Sequence, residues 1–182
     1  NMILKLMKQN GISDATIRNI SFEKGGASVL ADGYLVAGKM TKEQERALFG
    51  YGVYLQLLDD IQDIKEDFTA HTKTMFSGLE KQRFGEVVNQ TIHFGRSVIE
   101  ELKSFPGAAN GDFLDLMNRS IETMIIESVG LNSTWYIKDY LSELEKFSPL
   151  HFEFVCEKRR ESKSQRYAMF QKYFKTVKSE TF

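Results

Sequence analysis

Cysteine occurs once in the 182 residues, at Cys156. One thiol excludes an internal disulfide framework and a Cys-rich zinc site, and fits a structural thiol in a reducing compartment. Proline occurs twice, so little interrupts helix formation in a chain with many Leu, Ile, Lys and Glu. Charge of one sign is lacking as well: 24 Lys and Arg stand against 25 Asp and Glu, for a net charge of −1. That balance excludes a global basic field for nucleic acid, and no nucleic-acid partner is expected. No apolar run reaches the ~18 residues that suggest a transmembrane segment. Residues 1–10 lack the long apolar core of a signal peptide, so the cytoplasm is the default compartment. Also missing are a Gly-rich phosphate loop, a nucleophile elbow and a Cys/His catalytic pair. No repeat, low-complexity segment or Pro/Gly linker divides the chain, and residues 1–182 are expected to form a single domain.

What is present centres on Tyr51-Gly-Val-Tyr-Leu-Gln-Leu-Leu-Asp-Asp-Ile-Gln-Asp-Ile-Lys-Glu-Asp67. Between Lys42 and Asp67 only Gly50 and Gly52 oppose a helix. On one continuous helix with Asp59 at zero, Asp63 falls at about 40°, Asp67 at about 80°, Asp60 at about 100° and Glu66 at about −20°. Five carboxylates then share roughly a third of the circumference. Like charges at this spacing repel by roughly 0.2–0.5 kcal/mol per pair. A cation between them relieves that repulsion, and hard Mg²⁺ prefers a few carboxylates plus substrate phosphate oxygens. A solvated acidic face is the ordinary alternative. Against it, the same face carries Gln56, Gly52, Phe49 and Leu48 in the preceding turns, a polar mouth above an apolar, glycine-opened wall.

Asp59-Asp60-Ile-Gln-Asp63 with Gln56 upstream resembles the second aspartate-rich motif of trans-prenyltransferases. Extended through Glu66-Asp67, it is also similar to the second acidic motif of squalene and phytoene synthases. The spacing 59, 63, 67 resembles the metal-binding triad of class I terpene cyclases. All three share the class I isoprenoid synthase fold. The resemblance implies an all-α helical bundle binding Mg²⁺ and a prenyl diphosphate substrate. It implies Asp59, Asp63 and Asp67 as metal ligands, with Asp59, Asp60 and Asp63 in catalysis and Glu66 in support. Gln56 would bond a ligand water or carboxylate. Lys24, on the helix before the acids, resembles the diphosphate-binding lysine, although Gly25 follows it where the family has threonine. Lys73, in the loop after the acids, is similar in place to a cation that closes over diphosphate. Arg166-Tyr167 resembles the Arg-Tyr pair near the C-terminus of terpene cyclases.

The remaining elements are read from periodicity and caps. Asn10-Gly11 closes a first segment from Met2 to Met7, and Ser13 or Asp14 caps a further turn. Helix A is expected from about Ser21 to Gly38. Its Gly25, Gly26 and Gly33 mark close backbone approach or a local break, each costing about 1 kcal/mol against Ala. Thr41-x-x-Gln44 is a capping box opening helix B, which runs to Asp67. Phe68 to Ser77 is a loop. Helix C follows from about Leu79 to Ser104, helix D from Asp112 to Leu131, helix E from Thr134 to Phe147 and helix F from Leu150 to Lys178.

The resemblance implies isoprenoid biosynthesis, by ionisation of an allylic diphosphate followed by transfer, coupling or cyclisation. A non-catalytic prenyl-lipid-binding or assembly module of the same fold is the alternative. An Mg²⁺-dependent all-α phosphohydrolase is a third, but Glu100-Glu101 and Glu122 to Glu127 do not match the Glu-x-x-Glu patterns of that class. Only Asp14 and Glu23 precede Lys24 as acids, so no first acidic motif is present. The chain is therefore expected to be the C-terminal portion of such a synthase. Its apolar wall would then be uncovered, and a homo-oligomer or a separate N-terminal portion would cover it.

Overall fold

The computed structural model describes residues 13–108 and 110–162, and every regular element among them is helical. The protein is all-α, as expected. α1 spans Asp14–Ala37, and the Ser13 hydroxyl accepts from the Thr16 N–H at 3.2 Å to cap it. The turn expected before Ser21 is thus the first part of one 24-residue helix. At its other end Gly38 sits at φ 72°, where a side chain would strain the backbone, and its N–H donates to the Tyr34 carbonyl.

α2, Lys42–Gln62, opens with the expected capping box: the Gln44 N–H donates to the Thr41 hydroxyl, and the Gln44 side chain accepts from the Thr41 N–H. It does not run on to Asp67. Asp63, at φ −98° and ψ 12°, joins α2 to a short α3, Ile64–Ala70. The joint is a bend and not a loop, because Asp63 N–H still donates to Asp59 O and Asp67 N–H to Asp63 O. A tertiary contact accompanies it. The Asn132 side-chain amide donates to the carbonyls of Ile61 and Gln62, at 3.3 and 3.1 Å, in the last turn of α2. The segment expected as loop from Phe68 is helical through Ala70 and ends at His71, left-handed at φ 54°.

α4 spans Lys81–Glu101 and α5 Gly111–Leu131, separated by single 3₁₀ turns at Leu102–Ser104 and Pro106–Ala108. A 3₁₀ turn at Ser133–Trp135 leads to α6, Lys138–Glu145. Helix E is accordingly shorter than its pattern suggested. A last helical segment begins at residue 152 and is described to 162. The reading of Met2 to Met7, and of helix F beyond residue 162, lies outside the described residues.

α2 is the middle layer. One side carries Ala47, Tyr54, Leu58 and Ile61, all buried in the core that α4 and α5 complete. Close approach on that side depends on Gly95, where a Cβ would stand 1.9 Å from the Tyr54 ring. The opposite side carries Leu48, Phe49 and Gly52 and packs on α1. There a Cβ on Gly52 would lie 2.2 Å from the Gly25 carbonyl oxygen, so the two backbones touch. Gly25 pairs with Gly52, and Gly33 with Leu48. The helices are therefore antiparallel, and the first half of α1 lies beside the acidic end of α2.

Candidate functional site

The α1–α2 crossing accounts for part of the acid face and corrects another part. Gly25 and Gly26 are points of close approach and do not break the helix: a Cβ on Gly26 would meet the Phe49 ring at 2.5 Å. The wall of Gly52, Phe49 and Leu48 is consequently filled by α1. The apolar surface expected to open beneath the acids is a helix–helix interface.

Beyond that crossing the carboxylates divide by environment. Asp59 and Asp63 are exposed, Asp67 is half-buried, and Asp60 is only 3% exposed. Gln56 joins two of them, its Nε2 donating to Asp60 Oδ1 at 3.0 Å and to Asp59 Oδ2 at 3.3 Å. Asp60 Oδ2 is buried with no partner. Burial pushes the Asp60 carboxyl up to about 7, against the Gln56 bond; the charges of Asp67 and Asp59 push the same way, and the Met75 backbone opposes them. Asp67 is raised to about 6 by burial and then by Asp63 and Asp59. Asp63 is raised by burial, then by Asp59 and Glu66. The acids thus act on one another across the bend at Asp63.

Lys24 is the cation that offsets them, lowering both Asp63 and Asp67 through its charge. Its position follows from the antiparallel crossing, one residue before Gly25. Lys73 lies in the wall of a cavity of about 400 Å³ that Asp67 also borders. Arg18 lines a smaller cavity of about 150 Å³ beside Thr74 and Met75. Arg166 and Tyr167 lie outside the described residues. Among the described residues, no three His, Cys, Asp or Glu side chains converge tightly enough to cage an ion by themselves.

Three other acids considered from the sequence are paired with cations. Arg96 grips Glu122 with two bonds, at 2.6 and 2.9 Å, Arg46 pairs with Glu101, and Lys103 with Glu100. Cys156 is half-buried, with its Sγ 3.7 Å from the Gly130 carbonyl. No described helix is long and apolar enough to cross a membrane. Sequence reasoning placed the loop after the acids but not its reach to Asp60 through the Met75 backbone; within it Thr74 N–H donates to Ser77 Oγ and Phe76 N–H to Thr74 Oγ1. It also missed that Lys81 and Phe84 of α4 meet Trp135 of the Ser133–Trp135 turn at the cavity of about 400 Å³, because segments far apart in the chain supply them. Compared with protein-family models, with curated proteins and with solved structures, the chain gives no match.

Proposed function

We propose that the acid face binds the diphosphate of an allylic prenyl substrate through Mg²⁺, in an isoprenoid synthase-like reaction that ionises the carbon–oxygen bond. The observation that carries this reading is the acid set in which Asp60, Asp63 and Asp67 are raised by burial and by neighbouring carboxylates, Asp59 acting on all three, while Lys24 opposes the shift at Asp63 and Asp67. Such a set gains free energy from a hard cation, and the donor chemistry is all oxygen. Asp59, Asp63 and Asp67 are the residues that would hold the metal. Bound Mg²⁺ would supply charge neutralisation on the leaving diphosphate oxygens. Lys24 would add a second positive charge to the same leaving group. Gln56 fixes the rotamers of Asp59 and Asp60, and buried Asp60 stiffens the platform from below. Magnesium-dependent release of diphosphate from geranyl, farnesyl and geranylgeranyl diphosphates tests this, with Asp59→Asn/Asp63→Asn as the variant expected to lose it.

The second reading, a helical module that binds a prenyl diphosphate without turnover, rests on the filled α1–α2 wall. Among the described residues α1 fills that wall, and none of the cavities described above runs along it to shield a cation from water. Saturable binding with no diphosphate release would favour it.

A further inference from the structure

We propose that the cavity bordered by α3, the start of α4 and the Ser133–Trp135 turn is a second ligand site, for a small anion with a flat aromatic body. Its volume of about 400 Å³ lies within the ordinary range of roughly 300–1,000 Å³ for small-molecule pockets. Four rings line it, Phe68, Phe76, Phe84 and Trp135, among polar and charged side chains. Trp135 and Phe84 lie nearly parallel, 13° apart with centroids 6.4 Å from each other. Phe68 leans on Trp135 at 4.8 Å. Yet Phe68 remains 67% exposed, so one ring of the set lacks the cover that apolar surface normally finds in a folded chain. Offset stacking between rings favours a flat aromatic occupant over a branched aliphatic one.

Charge complementarity sets the sign of the ligand. Two lysines, Lys73 and Lys81, line the cavity against one carboxylate, Asp67. The Lys81 ammonium is already positioned: it donates to the Thr134 carbonyl at 2.6 Å and stands 5.9 Å from the Trp135 ring centre. An ammonium carries three donors, so two remain for an anionic group beside the ring. Holding the cation in place beforehand removes part of the ordering cost of binding. The aromatic lining comes from α3, the loop after it, α4 and the Ser133–Trp135 turn, and Asp67 is the residue that this cavity shares with the proposed metal ligands. The inference rests on the rings and the two lysines, and not on metal binding at Asp67.

Trp135 is the one tryptophan in the chain, and its fluorescence reports on this cavity and on a neighbouring hollow beside Lys65 and Leu131. Lys73 borders this cavity and not that hollow, so Lys73→Gln assigns the change to one of them. Phenyl phosphate is the probe, with inorganic phosphate and phenol as separate arms. Phenyl phosphate should change the emission saturably, with a half-point at about a millimolar or below, and each single-feature arm should bind at least about tenfold more weakly. Lys81→Gln and Lys73→Gln, checked for unchanged helical circular dichroism, should each weaken phenyl phosphate by roughly fivefold or more. Asp59→Asn/Asp63→Asn should bind it within about twofold of the parent. Absence of a saturable change overturns the proposal. So does phosphate or phenol binding as tightly as phenyl phosphate, or parent-like binding by both lysine variants. Loss of binding in the acid-face variant would overturn the claim that the two sites are separate.

Discussion

Asp60 has one oxygen bonded to Gln56 and the other buried without a partner, and that asymmetry has a measurable consequence. Its carboxyl is displaced from 3.8 to about 7. Between those values the folded protein holds a proton that the unfolded chain has released. Stability therefore falls as pH rises through that window. Asp67, raised to about 6, adds a change of the same sign. At about 1.4 kcal/mol per unit of displacement, Asp60 alone accounts for up to ~4 kcal/mol. In chelator-treated protein the urea midpoint should be higher at pH ~5 than at pH ~7.5, and Asp60→Asn should flatten that slope. A slope unchanged in Asp60→Asn would show that the proton resides elsewhere. Asp63 is exposed, so Asp63→Asn should leave the midpoint nearly unchanged while weakening metal–diphosphate binding by about tenfold or more.

At the scale of elements, the α1–α2 crossing and the bend at Asp63 determine the acid face. Gly52→Ala improves helix propensity by about 1 kcal/mol, but its Cβ would lie 2.2 Å from the Gly25 carbonyl oxygen. Overpacking against backbone costs roughly 1–3 kcal/mol. Thermal or urea denaturation should therefore show net destabilisation and, as α1 moves outward, a weaker influence of Lys24 on the acids. Thr41→Ala removes half of a capping box and should cost ~1 kcal/mol. The capping box was legible because its two residues and their spacing specify a local structure. Gly25 and Gly26 were legible only as an anomaly. Whether they broke the helix or admitted another backbone depended on Gly52, more than twenty residues away. The bend at Asp63 left no local sign, since Asn132 supplies the amide that engages the last turn of α2. A single helical wheel from Lys42 to Asp67 was therefore right for Asp59 and Asp63 and misleading for what lay beneath them.

For the whole molecule, a three-layer order places α1 outside α2 and the core of α4 and α5 behind it. The all-helical class was legible from periodicity and the scarcity of proline. The antiparallel pairing that brings Lys24 to Asp63 and Asp67 was not, because pairing direction depends on which glycines meet. At the far end of α1, Leu35 and Val36 are 84% and 90% exposed, an apolar tip away from the acids. On the proposed function, the acid face and Lys24 together hold a metal-bound diphosphate. Calorimetric titration of Mg²⁺ plus pyrophosphate into the parent, Asp59→Asn/Asp63→Asn and Lys24→Gln tests it most directly. Saturable binding by the parent that requires both components is expected, with at least about a hundredfold loss in the double acid variant and about tenfold loss in Lys24→Gln. Binding by the double acid variant equal to that of the parent would contradict it.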